Sequence, residues 1–82
     1  MSAKADIPRL VRELRTRTGL SQEKFAAKLG VTFPTINRWE NGRSNPSPLA
    51  MQRIEDLLHR MGKDGKILLK EYFPDRLKEL YR

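Results

Sequence analysis

Residues 20–42, LSQEKFAAKLGVTFPTINRWENG, decide the fold of this chain. They predict two short helices joined by a tight turn at Gly30, since glycine is the residue that most readily ends a helix in the left-handed conformation. Ser21 is the expected cap of the first helix, because its hydroxyl can accept a hydrogen bond from a free amide of the first turn. Apolar residues at helical spacing then form one inward stripe: Phe25, Ala26 and Leu29.

The second helix follows this turn closely. Thr32 is its expected cap, and Val31 and Ile36 flank it as a hydrophobic staple does. Because a residue before proline disfavours the helical conformation, the helix can instead begin at Pro34, with Phe33 at the cap. Two inward-facing residues and two helix-ending residues complete the stretch: Ile36, Trp39, Asn41 and Gly42.

The spacing of these residues is typical of a helix-turn-helix. That motif needs a small residue where its helices cross, here Ala26, and a turn residue that tolerates a positive φ, here Gly30. The chain resembles the phage Cro/repressor family of helix-turn-helix DNA-binding domains, and weaker resemblance extends over residues 7–61. A helical hairpin that only packs is the alternative. The matching residues are Leu20, Ser21, Gln22, Phe25, Ala26, Leu29, Gly30, Val31, Thr32, Ile36, Trp39, Glu40, Asn41 and Gly42.

Helices are also predicted on both sides of the motif. One begins behind the cap Asp6 and ends at about Arg17, with its apolar residues at helical spacing. The other begins at Pro48, behind the cap Ser47, and ends at about Met61. No stretch alternates apolar and polar residues as a half-buried strand does. The resemblance therefore implies an all-α fold, a compact lambda-repressor-like domain of four to five helices.

The resemblance places the DNA-binding domain in residues 1–62, with the motif in residues 21–42. Residues 63–82 are then a C-terminal helical extension, in which the pattern predicts a helix from about Gly65 to Phe73. Two interpretations of its apolar residues stay open. They cover the core of the domain, or they form a surface for a second copy or a partner. The residues concerned are Leu68, Tyr72, Leu77 and Leu80.

The amino-acid composition limits the classes of function that this chain can have. The 82 residues suit one small domain, and 17 Lys and Arg against 10 Asp and Glu give a net charge of +7, which suits a polyanionic partner. The chain has no cysteine and one histidine, so we expect no metal, no cofactor and no catalysis. No apolar run reaches membrane-spanning length, and the N-terminus lacks the apolar segment of a signal peptide. We therefore expect a cytoplasmic, nucleoid-associated protein without membrane contact.

Outward-facing residues of the second helix are the candidate base contacts. Since Ile36 and Trp39 define its buried side, Asn37 and Arg38 point away from the core at about 100° per residue. Asn37 can pair with an adenine edge and Arg38 with a guanine edge. Phe33, near the helix tip, can touch a thymine methyl or simply cover the helix start.

Phosphate contacts and one ion pair complete the candidate site. Gln22 lies in the first turn of its helix, beside free backbone amides that can hold a phosphate. By resemblance, the backbone contacts past the second helix are Asn41, Arg43 and Ser44. The resemblance also implies an ion pair between Arg15 and Glu40, and an unpaired carboxylate beside the buried Trp39 would be costly.

These features favour a sequence-specific transcriptional regulator. One helix reads only a few base pairs, so the expected form is a homodimer on a two-fold operator of double-stranded DNA, most simply a repressor. Two alternatives stay open. One is an antitoxin-type module that binds a protein partner and regulates its own operon, and the other is the DNA-reading fragment of a longer protein.

Overall fold

A computed structural model describes residues 6–74 of the chain. Over that range the chain forms five helices and no strand, which confirms the all-α prediction. The helices are α1 (Ile7–Thr18), α2 (Gln22–Leu29), α3 (Phe33–Glu40), α4 (Pro48–Arg60) and α5 (Lys63–Tyr72). The motif predicted in residues 21–42 is thus the capped pair α2 and α3.

Side-chain caps fix where the first four helices begin. Each cap oxygen accepts a hydrogen bond from the backbone amide three residues later, which satisfies one of the free donors of the first turn. The capping residues are Asp6, Ser21, Thr32 and Ser47. For α3 this decides between the two predicted starts, because the cap is Thr32 and the helix begins at Phe33.

One apolar core joins all five helices. The side chains from α1, α2 and α3 are the predicted ones, and α4 and α5 close the core from the other side. Its fully or almost fully buried members are Leu10, Val11, Leu14, Phe25, Ala26, Leu29, Ile36, Trp39, Ala50, Ile54, Leu57, Leu58, Leu68, Leu69 and Tyr72. Ile7 and Met61 are partly buried and pack against its edge.

The helix predicted from about Gly65 to Phe73 is α5, which runs over Lys63–Tyr72. It begins two residues earlier and ends one residue earlier than the approximate bounds. The reason is Gly62, whose φ of 67° turns the chain sharply after α4 and whose carbonyl accepts the amide hydrogen of Lys66 at 2.9 Å. A connection this short lets α5 begin immediately after the turn.

Packing of α5 depends on Gly65, which has no side chain where the helix meets α4. A Cβ atom there would lie 1.7 Å from the carbonyl oxygen of Leu58. This close approach buries Leu68 and Tyr72 in the core, whereas Ile67 remains 50% exposed. The other two members of the predicted C-terminal surface, Leu77 and Leu80, lie outside the described residues.

Ion pairs also tie α5 to α1. Arg17 Nη1 lies 3.0 Å from Asp64 Oδ1, and Arg9 Nη2 lies 3.4 Å from Glu71 Oε2. Both pairs are solvent-exposed, so each contributes little to stability beside the buried apolar residues. None of the helices within residues 6–74 combines the length and hydrophobicity needed to cross a bilayer.

Candidate nucleic-acid interface

The helix α3 has one buried and one exposed face. Ile36 and Trp39 are 0% and 3% exposed and anchor the helix against α1 and α2. Asn37 and Arg38 lie on the opposite side and are exposed, as the helical period requires. Phe33, the first helical residue, is 43% exposed and is not among the side chains that pack against the core.

Exposed residues of α3 line one shallow groove together with the loop that follows the helix. Five of the seven residues predicted to contact DNA lie in it, and Pro34 is the sixth member. The lining is Phe33, Pro34, Asn37, Arg38, Asn41 and Arg43. The groove thus carries two guanidinium groups, two amides and an exposed aromatic ring on a surface of one helix and its C-terminal loop.

The two amides of this groove are bonded to each other. The Asn41 side chain donates to the backbone carbonyl of Asn37 at 2.9 Å and also to its side-chain oxygen. Asn41 is the C-cap of α3, and its backbone amide donates to the same Asn37 carbonyl at 3.1 Å, so the side chain adds a second hydrogen bond to that oxygen. Asn37 keeps its NH2 group for an acceptor. Pairing with an adenine edge also needs its side-chain oxygen, and therefore release of the bond that this oxygen accepts from Asn41.

The Arg15 and Glu40 side chains form the ion pair that the sequence led us to expect. Arg15 Nε donates to Glu40 Oε2 at 2.7 Å, and Arg15 Nη2 donates to Oε1 at 3.3 Å. The side chain of Glu40 is 7% exposed and that of Arg15 is 27% exposed. Because Glu40 is the last residue of α3 and Arg15 lies in the last turn of α1, the pair fixes the end of α3 against α1.

The Gln22 side chain also binds the carboxylate of Glu40. Its Nε2 donates to Glu40 Oε1 at 2.9 Å, so the first residue of α2 is tied to the last residue of α3. The carboxylate of Glu40 therefore accepts from three donors. Contact of the Gln22 side chain with a phosphate stays a prediction. In the structure this half-buried side chain positions the first turn of α2.

The loop after α3 carries the remaining predicted phosphate contacts. Gly42, with φ 70°, reverses the chain, and the amide of Arg43 donates back to the carbonyl of Arg38 at 2.8 Å. Arg43 is exposed and lines the groove, whereas Ser44 is half-buried and lies outside its lining.

One contact near the helix-turn-helix could not have been predicted from any pattern in the sequence. Arg53 on α4 donates from Nη1 to the carbonyl oxygen of Leu29 at 3.0 Å, across 24 residues. An exposed arginine on an amphipathic helix predicts only a solvated side chain. The Asn37–Asn41 pair, in contrast, could have been predicted, because residues four apart on a helix are neighbours.

Comparison of the sequence with known proteins also identifies a helix-turn-helix in this part of the chain. The helix-turn-helix family profile, of the Cro/repressor type, matches residues 11–60. An uncharacterized HTH-type transcriptional regulator of the archaeon Methanothermobacter thermautotrophicus is 40% identical over 62 residues, which cover 76% of this chain and 90% of that protein. No solved structure matches the chain with significance.

Two rhizobial proteins also match, over a shorter stretch. Uncharacterized HTH-type transcriptional regulators of Sinorhizobium medicae and Rhizobium meliloti are each 37% identical over 49 residues. Those residues are 60% of this chain and 35% of each relative, so the likeness covers about a third of the longer proteins. The matched profile contains α2, α3 and α4, together with most of α1. This chain belongs to the Cro/repressor-type helix-turn-helix family.

Proposed function

We propose that this protein is a sequence-specific DNA-binding transcriptional regulator that binds a two-fold operator as a homodimer and represses transcription. The observation that carries the proposal is the groove along α3, where Asn37, Arg38 and Arg43 face outward beside the exposed ring of Phe33. The net charge of +7 and the relatives' names as HTH-type transcriptional regulators support it.

Base reading is assigned to the exposed face of α3. In a helix-turn-helix the N-terminal part of the second helix enters the major groove. There the planar guanidinium of Arg38 matches the two acceptors of guanine, and the amide of Asn37 matches the donor and acceptor of adenine. Phe33 supplies an apolar contact for a thymine methyl group at the tip of the helix.

Most of the affinity for DNA is assigned to phosphate contacts around the exposed face of α3. Arg43 and Asn41 flank the end of α3, Ser44 follows in the loop, and the amides at the start of α2 lie near Gln22. Such contacts set the register of the protein on the duplex without reading sequence. They also release condensed counterions, which makes binding salt-dependent.

A dimer provides the selectivity that a single domain lacks. One helix reads only a few base pairs, whereas two helices about 34 Å apart read two half-sites in successive major grooves. Repression then follows where the operator overlaps a promoter, because a bound dimer excludes other proteins from the same DNA.

Selection of the protein's preferred duplex from random DNA, followed by two substitutions, tests this proposal. Arg38→Ala should cost about 1–3 kcal/mol on the selected site and relax the preference at one base pair of each half-site. Arg43→Ala is the matched control, since it removes the same charge from the same groove. It should weaken binding to all sequences about equally and reduce the salt slope by about one unit.

The results of these binding measurements distinguish a base contact from a phosphate contact. Equal losses on matched and mismatched duplexes for Arg38→Ala would make Arg38 a phosphate contact and assign base reading to Phe33 or Asn37. Absence of any selected sequence would refute sequence-specific binding. Sedimentation of the complex with the selected duplex measures stoichiometry, and one protomer on an asymmetric site would refute the dimer.

A further inference from the structure

The turn of the helix-turn-helix is held from outside the motif by an arginine of α4. Arg53 Nη1 donates to the carbonyl oxygen of Leu29, the last residue of α2, at 3.0 Å. The last carbonyls of a helix have no partner within the helix, and they carry the negative end of its dipole. A guanidinium group at this place therefore satisfies a free acceptor and interacts favourably with the dipole.

A second observation concerns Gly30, which ends α2 with a φ of 74°. A Cβ atom on Gly30 would lie 2.4 Å from Arg53 Nη1 and 3.5 Å from its Cζ. The guanidinium group thus occupies the space that any side chain at position 30 would need. Gly30 is favoured here for its left-handed conformation, and a side chain at this position would also have to displace the end of the Arg53 side chain.

This contact lies close to the start of α3. Two residues separate Leu29 from Thr32, the cap of α3, and Phe33 is the first residue of the helix. Within this short turn the amide of Val31 donates back to Ala26 at 2.9 Å. A displacement of the end of α2 is therefore transmitted to the tip of α3, where the proposed base contacts begin.

We propose that Arg53 is a positioning residue for base reading: by binding the Leu29 carbonyl over Gly30, it fixes the turn and thereby the orientation of α3. The inference rests on the proposed function, because it assigns α3 to the major groove. Arg53 itself lies on α4 and is not part of the groove along α3. A small change in the orientation of a recognition element costs selectivity, because hydrogen bonds to base edges depend on geometry.

Arg60 provides a matched control on the same helix. It lies two helical turns further along α4, and both arginines line one concave surface beside the end of α2. Arg53→Met and Arg60→Met remove the same charge and leave a similar apolar stem. Only the first removes the bond to Leu29.

Hydrogen exchange on the full chain is the first measurement. In Arg53→Met the amides of Gly30 and Val31 should exchange about tenfold faster, as expected for loss of one hydrogen bond to a charged group. The amides of Leu14 and Ile54 in the core should be unchanged, and Arg60→Met should change neither set. Equal acceleration in turn and core would make Arg53 a general stabiliser, and no acceleration at the turn would refute the contact. Either result overturns the proposal.

Discrimination between the selected duplex and a single-mismatch duplex is the second measurement. Arg53→Met should reduce the ratio of the two affinities about fivefold, and Arg60→Met should leave it as in the unsubstituted protein. An unchanged ratio in Arg53→Met, or the same reduction in both variants, would refute the positioning role. Failure of the unsubstituted protein to discriminate would instead refute the proposed function, and the exchange data would still test the contact.

A combined variant tests the part played by Gly30. If the guanidinium lies over Gly30, then Gly30→Ala already displaces it. Adding Arg53→Met to Gly30→Ala should then accelerate exchange at Val31 less than twofold. A further tenfold acceleration would show that the two residues act independently and that Arg53 does not occupy this space.

Discussion

Replacing Glu40 by glutamine should destabilise the domain far more than the loss of one surface charge. The carboxylate accepts from Arg15 Nε at 2.7 Å, from Arg15 Nη2 at 3.3 Å and from Gln22 Nε2 at 2.9 Å. A glutamine amide has one oxygen and one NH2 group, so at least one of these donors would face another donor. Arg15, 27% exposed, would also lose its counter-charge.

The expected loss of stability depends on how deeply the Arg15–Glu40 ion pair is buried. Breaking a fully buried ion pair costs about 3–5 kcal/mol, and breaking an exposed pair costs about 0.2–1 kcal/mol. Because Glu40 is buried and Arg15 only partly so, we expect a loss of about 2–3 kcal/mol from the free energy of unfolding. For a domain of this size that corresponds to a fall in Tm of roughly 10–20 °C.

Unfolding by urea, followed by fluorescence, measures this loss. Trp39 is the only tryptophan and is 3% exposed, and it lies next to Glu40, so its emission reports on the core at this point. The control is Asp64→Asn, which breaks the exposed pair with Arg17 and should cost less than about 1 kcal/mol. A Glu40→Gln variant no less stable than this control would refute the reasoning.

Three further predictions concern the core, pH and salt. Gly65→Ala should cost about 1–3 kcal/mol in urea unfolding, because its Cβ would lie 1.7 Å from the Leu58 carbonyl oxygen and α5 must shift. Lys70→Ala, on the exposed side of the same helix, should cost less. Burial, assisted by Glu13, raises the pKa of Tyr72 to about 12. Between pH 10 and 12 the unfolded chain therefore loses this proton first, and the free energy of unfolding should fall more steeply than in Tyr72→Phe. DNA affinity should fall about tenfold or more between roughly 50 and 200 mM salt, and an affinity that is constant with salt would contradict the phosphate contacts.

Much of the fold could be read from local chemistry. Caps such as Ser21 and Thr32 satisfy amides only three residues away, and Gly30 permits a left-handed turn that other residues resist, so sequence alone locates these helix boundaries. The buried and exposed faces of α3 follow from the period of the helix, which is why Asn37 and Arg38 could be placed outward. The start of α5 was predicted only to within two residues, because the sequence does not show that the chain turns at Gly62 and enters the helix directly after it.

Most contacts between residues that are distant in the chain could not be predicted from the sequence. The bond from Gln22 to Glu40 joins residues 18 apart, and that from Arg53 to Leu29 joins residues 24 apart. Each depends on where two helices cross, and crossing geometry is set by the packing of the whole core and not by any local pattern. The sequence by itself determined the five helical segments, the helix-turn-helix and the outward face of α3. Only the tertiary structure decided that Leu68 and Tyr72 enter the core, since Gly65 lets α5 approach the Leu58 carbonyl closely enough to bury them.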